Sequence, residues 1–168
     1  INYDEKDRYE RIFPLLEKSA SNVVFFVDIS IDTDPEFIRK IEKFANIVII
    51  DHHKIYNDLS SNKTIFIKAQ FVSPLEPSKY AASKLTYDLF NNVVDLEQLN
   101  WVAAVGLYGD YCVDHWQEFI KQTCRKQKLS KTQLEKLKQL IGSVESIAME
   151  EFHSLYEAFL SHVRNPKK

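Results

Sequence analysis

No apolar run in this chain approaches the ~20 residues a helix needs to cross a bilayer. The sequence therefore contains no membrane-spanning helix. Its start lacks the charged-then-apolar pattern of a secretory signal. Cysteine occurs only twice, as Cys112 and Cys124, without Cys-x-x-Cys spacing. This argues against a structural zinc site and fits a reduced, cytoplasmic setting. Charge of one sign is also scarce. The net charge is -2, so no overall basic field advertises nucleic acid. A local cationic groove stays open, with Lys63, Lys68, Lys79, Lys84, Lys121, Arg125, Lys126 and Lys128 as its candidates. Each of these taken singly reads as a solvated surface cation. Glycine occurs three times, and Gly106 and Gly109 share one segment, where close backbone packing is expected.

What is present is an ordinary globular composition: 45% hydrophobic and 27% charged over 168 residues, enough for one compact unit with a small appendage. Val23-Val-Phe-Phe-Val27 and Asn46-Ile-Val-Ile-Ile50 are apolar, β-branched runs that read as strands buried on both faces. Between them, Asp34 is suited to cap a helix and Pro35 to its first position. Phe37, Ile38, Ile41 and Phe44 form the apolar stripe. Strand, helix, strand over this length is a βαβ unit with parallel strands. Parallel strands bring Asp28, which follows the first run, to the same sheet edge as Asp51-His52-His53, which follow the second. Open α/β sheets build their sites at such carboxyl ends. Two imidazoles with carboxylates suit a divalent ion such as Mn, Zn or Fe. A solvated turn is the plain alternative for the triplet alone. Further on, Trp101-Val-Ala-Ala-Val-Gly-Leu-Tyr-Gly-Asp110 is a small-residue apolar helix, and its Asp110, taken alone, reads first as a helix cap or turn residue.

Taken together, an Asp ending a strand, a strand ending in Asp-His-His and a later Gly-x-x-Gly-Asp resemble motifs II, III and IV of the DHH phosphoesterase superfamily. The resemblance covers about residues 20–115. Gly106-Leu-Tyr-Gly-Asp-Tyr111 and the segment Pro77 to Phe90 look most like RecJ-like and nanoRNase-like members. The resemblance implies a Rossmann-like α/β domain with a parallel sheet flanked by helices. It implies a two-metal Mn²⁺ site, with Mg²⁺ or Co²⁺ as substitutes. In that site Asp28 bridges the ions, and His52 and Asp110 complete one ion's shell. Asp51 orients His52 from behind, and His53 contacts the substrate phosphate. The implied activity is hydrolysis of single-stranded DNA or short RNA. Pyrophosphate or polyphosphate is an alternative substrate, and a catalytically incomplete scaffold for replication or repair is the rival reading.

The chain departs from the family pattern in two places. No strand followed by Asp-x-Asp or His-x-Asp-x-Asp (motif I) precedes Asp28, and Asp4 reads as a helix cap before a helical stretch from Glu5 to Ser19. The Gly-Gly-His module (DHHA1) is absent too. A trimmed chain in which Ile1 to Asp4 ends the family's second strand is the leading explanation. A degenerate homologue and a partner chain that completes the site are the others. The expected organisation is a partial DHH domain over 1–115 and a helical extension over 116–168.

In the middle of the chain, Thr64 to Lys68 reads as a strand and Ser78 as the opening of a helix through Phe90. In the last third, Ser130-Lys-Thr-Gln133 matches a capping box. From there Leu134, Leu137, Ile141, Val144 and Ala148 form an apolar stripe, continued by Phe152, Leu155, Phe159 and Val163. Such a stripe packs on the core, or else serves a homodimer or a protein partner. Among the remaining histidines, His115 is a minor candidate for a phosphate contact, while His153 and His162 read as helix surface.

Overall fold

The computed structural model describes residues 13–19, 22–143, 158 and 160. The chain separates into two compact units, residues 1–77 and 78–168. The boundary expected at 115 falls inside the second of them.

The first unit is α/β. Strands β1 (Val23–Val27), β2 (Asn46–Asp51) and β3 (Thr64–Lys68) pair in that order, all parallel. Helix α1 (Pro35–Ile41) joins β1 to β2. Its start follows the expected chemistry: the Phe37 amide donates to Asp34 Oδ1 at 3.1 Å, and Pro35 fills the first turn, where a missing N–H costs nothing. Phe37, Ile38 and Ile41 are buried against Val24 and Phe26 of β1 and Ile47 and Ile49 of β2. Each such side chain contributes about 1.5–3 kcal/mol by leaving water. Residues 13–18 are helical as well, and Phe13 packs edge-on to Phe37 and Phe44. A short helix α2 (Ala69–Val72) follows β3 directly.

One expectation fails here. Strand β1 is not buried on both faces: Val24 and Phe26 are covered, whereas Val23, Phe25 and Val27 are exposed. The apolar core cluster takes in Val24 and Phe26 of β1 but not its alternate residues, so an uninterrupted apolar run does not imply two covered faces. The central strand β2 is the one buried from Ile49 to Asp51.

Glu42 closes α1 and pins the β2–β3 loop to it. Its carboxylate accepts from Ser61 Oγ, from Thr64 Oγ1 at 2.6 Å and from Arg39 at 2.7 Å. Burial pushes the Glu42 carboxyl up, but these hydrogen bonds and the Arg39 charge outweigh it and hold it below its ordinary value. A depressed folded value means the stabilisation is complete above the unfolded value and is lost as pH falls through the folded one. Glu42→Gln should therefore cost about 1.5–3 kcal/mol at neutral pH. In urea titrations the gap from wild type should close on acidification, and a pH-independent gap would contradict this role.

The second unit is helical: α3 (Ala82–Asn91), α4 (Asn100–Gly109), α5 (Gln117–Gln127) and α6 (Lys131–Ser143). Helix α3 begins at Ala82 rather than Ser78, because Pro77–Lys79 form a 3-10 turn. The Lys79 carbonyl in that turn accepts from Trp116 Nε1 at 2.7 Å. The Ser130 box forms as expected. The Ser130 amide donates to Gln133 Oε1 at 2.8 Å, and the Gln133 amide donates to Ser130 Oγ at 3.2 Å. Leu134 is buried and Leu137 packs on the core, while Leu140 and Ile141 are exposed. The continuation of the stripe at Val144, Ala148, Phe152, Leu155, Phe159 and Val163 lies outside the described residues, as do His153, His162 and Asp4.

Gly106 of α4 lies against Ser83 of α3. A Cβ there would stand 1.9 Å from Ser83 Oγ and 2.5 Å from Ser83 Cβ. Gly106→Ala must push the helices apart and should cost about 1–3 kcal/mol, read from the urea midpoint. Gly109 has open space around it, so the close packing expected there is confined to Gly106. Gly109→Ala is the matched control.

Candidate metal centre

The register of the sheet builds the site. Val27 of β1 lies beside Ile50 of β2, so the next residues, Asp28 and Asp51-His52, meet at the carboxyl edge. The Asp28 amide extends the ladder by donating to the Ile50 carbonyl at 3.0 Å. Asp28 has φ 61, a left-handed conformation that Asp tolerates better than most residues. This bend ends β1 where its carboxylate can reach His52: Asp28 Oδ1 lies 3.3 Å from His52 Nε2. The His52 and His53 rings meet edge to face at 4.7 Å between centroids.

Among the described residues, Asp28, His52 and His53 offer ligand atoms that all lie within 4.8 Å of one another. Metal–nitrogen bonds near 2.1 Å put neighbouring donors about 3–3.4 Å apart, so side-chain adjustments that draw the three groups together would seat one ion. Two imidazoles and one carboxylate form a borderline donor set suited to Mn, Fe or Zn. The His52 side chain is largely covered, whereas Asp28 and His53 are about half exposed, so the cluster opens to solvent on one side.

Asp51 stands behind the cluster, fully buried at the end of β2. Its Oδ1 contacts His53 Nδ1 at 2.7 Å, and its Oδ2 accepts from Lys68 Nζ at 2.5 Å. The imidazole that Asp51 holds is thus that of His53, whereas the sequence reading gave this task to His52. Burial alone would raise the Asp51 carboxyl. The hydrogen bonds from Lys68 and His53, and their charges, reverse that and hold it below the ordinary carboxylate range.

Lys68 overturns a second expectation. It is no surface cation but is fully buried at the end of β3, bonded also to Asp32 Oδ1 at 3.1 Å. Asp32, equally buried, accepts through Oδ2 from the Tyr56 amide at 2.7 Å. Its backbone carbonyl accepts from Asn57 Nδ2 at 2.8 Å. Sequence reasoning passed over Asp32 entirely. A signal existed for Lys68: it ends the third strand at the same edge, directly beside Asp51 in register.

Lys84 is buried too, in the second unit. Its ammonium lies over Trp116 and Phe119 at 4.3 and 4.5 Å and pairs with Asp88 at 2.5 Å. This removes it from the groove candidates. Lys63, Lys121, Arg125, Lys126 and Lys128 are exposed and Lys79 is partly so. Asp110 is the C-cap residue of α4 in the second unit, followed by Tyr111 with φ 54. His115 is exposed in the turn Val113–Trp116.

Comparison with protein-family models, with curated proteins and with solved structures finds no match to this chain.

Proposed function

We propose that this protein is a metal-dependent phosphoesterase that hydrolyses single-stranded DNA or short RNA. The observation that carries the reading is the convergence of Asp28, His52 and His53 at the carboxyl edge of parallel strands. The proposal uses residues of the first unit alone. Asp28 and His52 hold a Mn²⁺ ion, with Mg²⁺ or Co²⁺ as substitutes, and His53 joins them from the open side. A bound ion of this kind acidifies water and offsets charge on phosphoryl oxygens. In the overall reaction a water oxygen bonds to phosphorus as the ester P–O bond breaks, and the leaving oxygen takes up a proton. The half-exposed cluster suits a substrate that arrives as a flexible strand end or short fragment.

The test is hydrolysis of a single-stranded oligonucleotide and of a chromogenic phosphodiester, with and without Mn²⁺, by wild type and Asp28→Ala. Mn²⁺-dependent cleavage that Asp28→Ala abolishes, with an unchanged circular dichroism spectrum, is expected. Cleavage that survives in Asp28→Ala, or none in the folded wild type, would overturn the reading. The latter result would favour a scaffold.

A further inference from the structure

A chain of buried side chains leads into the metal centre and ends on one of its donors: Asp32, Lys68, Asp51 and the half-exposed His53 are linked in that order at 3.1, 2.5 and 2.7 Å. They come from the turn after β1, the end of β3 and the end of β2. Among the described residues Asp32 belongs to no metal cluster, and neither Asp32 nor Lys68 is part of the apolar core cluster. A fully buried charged triad is costly to maintain unless it fixes something.

We propose that Lys68, anchored by Asp32, is a positioning residue that sets the proton arrangement of His53 through Asp51. This rests on the metal-centre reading for its purpose but not for its geometry. Lys68 has only protons to give, so one oxygen of Asp51 is committed to it. The other oxygen, on an ionised carboxylate, can only accept. His53 Nδ1 must then carry the ring proton, which leaves Nε2 as the ring's only lone-pair donor. Metal-binding imidazoles are commonly set in this way by a carboxylate on the other nitrogen. Here a buried ammonium enforces the carboxylate's own orientation. Asp32 holds Lys68 in place and also ties down Tyr56 and Asn57 of the loop that follows the two histidines.

The chain of hydrogen bonds makes an unusual prediction for Asp51→Asn. An asparagine has one accepting and one donating end. Lys68 requires the accepting end, so the amide NH₂ must face His53 Nδ1, and the ring proton moves to Nε2. Adding Lys68→Met removes that requirement. With the ammonium gone, the amide oxygen is free to face His53, and the proton returns to Nδ1. A residue that only filled space would produce no such reversal.

The test is long-range proton–nitrogen NMR of the metal-free, full chain, at a pH where the His53 ring is neutral. The His53 signals are assigned by their loss in His53→Gln. Expected are a proton on Nδ1 in wild type, on Nε2 in Asp51→Asn, and on Nδ1 again in the double variant. The Mn²⁺ affinity should fall about 10–100-fold in Asp51→Asn. A wild-type proton on Nε2, or an Asp51→Asn ring unchanged from wild type, would overturn the proposal. So would a double variant that behaves as the single one. If a variant gives no dispersed amide spectrum, the wild type still decides: a slowly exchanging Lys68 ammonium coupled across its hydrogen bonds to the Asp51 and Asp32 carboxyl carbons is required, and its absence overturns the relay. Predicted tautomers in a protein that binds no Mn²⁺ would sink the phosphoesterase reading and leave the relay standing.

Discussion

Lys68→Met should destabilise the protein by about 3–5 kcal/mol, the usual cost of stripping the partner from buried charges. Total stabilities of ~5–15 kcal/mol make this a large fraction. The reason is local. Asp32 and Asp51 are both fully buried, and the Lys68 ammonium lies between them. Methionine fills much of the same volume, so the loss is electrostatic rather than a cavity. Neutralising the carboxylates as well, in Asp32→Asn/Asp51→Asn/Lys68→Met, should recover most of the loss, because a neutral buried set no longer needs the cation. Lys126→Met, in an exposed pair with Glu97, is the control and should leave the urea midpoint in place. A loss under ~1 kcal/mol for Lys68→Met would mean that water reaches the triad and that the buried relay is misread.

The βαβ unit could be read from the sequence because each of its signals is local. Asp34 and Pro35 announce a helix start, the Phe37 to Phe44 stripe gives its buried face, and two β-branched runs flank it. The meeting of Asp28 with His52 followed from one further step, that parallel strands end at a common edge. The Ser130 box was legible for the same reason, since its two hydrogen bonds join residues three apart. What escaped was non-local. Lys68 contacts Asp32 and Asp51 across 36 and 17 residues, and lysine by itself carries the expectation of solvent. A third parallel strand ends at the same edge, which sets Lys68 beside Asp51. The helix start at Ser78 was misread because a serine after a proline suits a cap, whereas the backbone there forms a separate 3-10 turn. The choice between His52 and His53 as the partner of Asp51 was beyond sequence, because it depends on how the chain turns after β2.

Loss of metal binding is the other large effect expected. Asp28→Ala removes the only carboxylate of the three-residue donor cluster, and His52→Ala removes its most covered imidazole. With three donors at the outset, either deletion leaves two, too few to hold a divalent ion against water at micromolar concentration. Each variant should lose more than the ~100-fold that changes behind a ligand produce. Neither should unfold the chain. The Asp28 carboxylate is half exposed, and the hydrogen bond that its amide donates to the Ile50 carbonyl belongs to the backbone.

The most direct measurement is a calorimetric Mn²⁺ titration of the chain beside Asp28→Ala and His52→Ala. The metal-centre account predicts one site in wild type and none in either variant, with all three proteins folded. No Mn²⁺ binding by the folded wild type, or a site that persists in both variants, would contradict it.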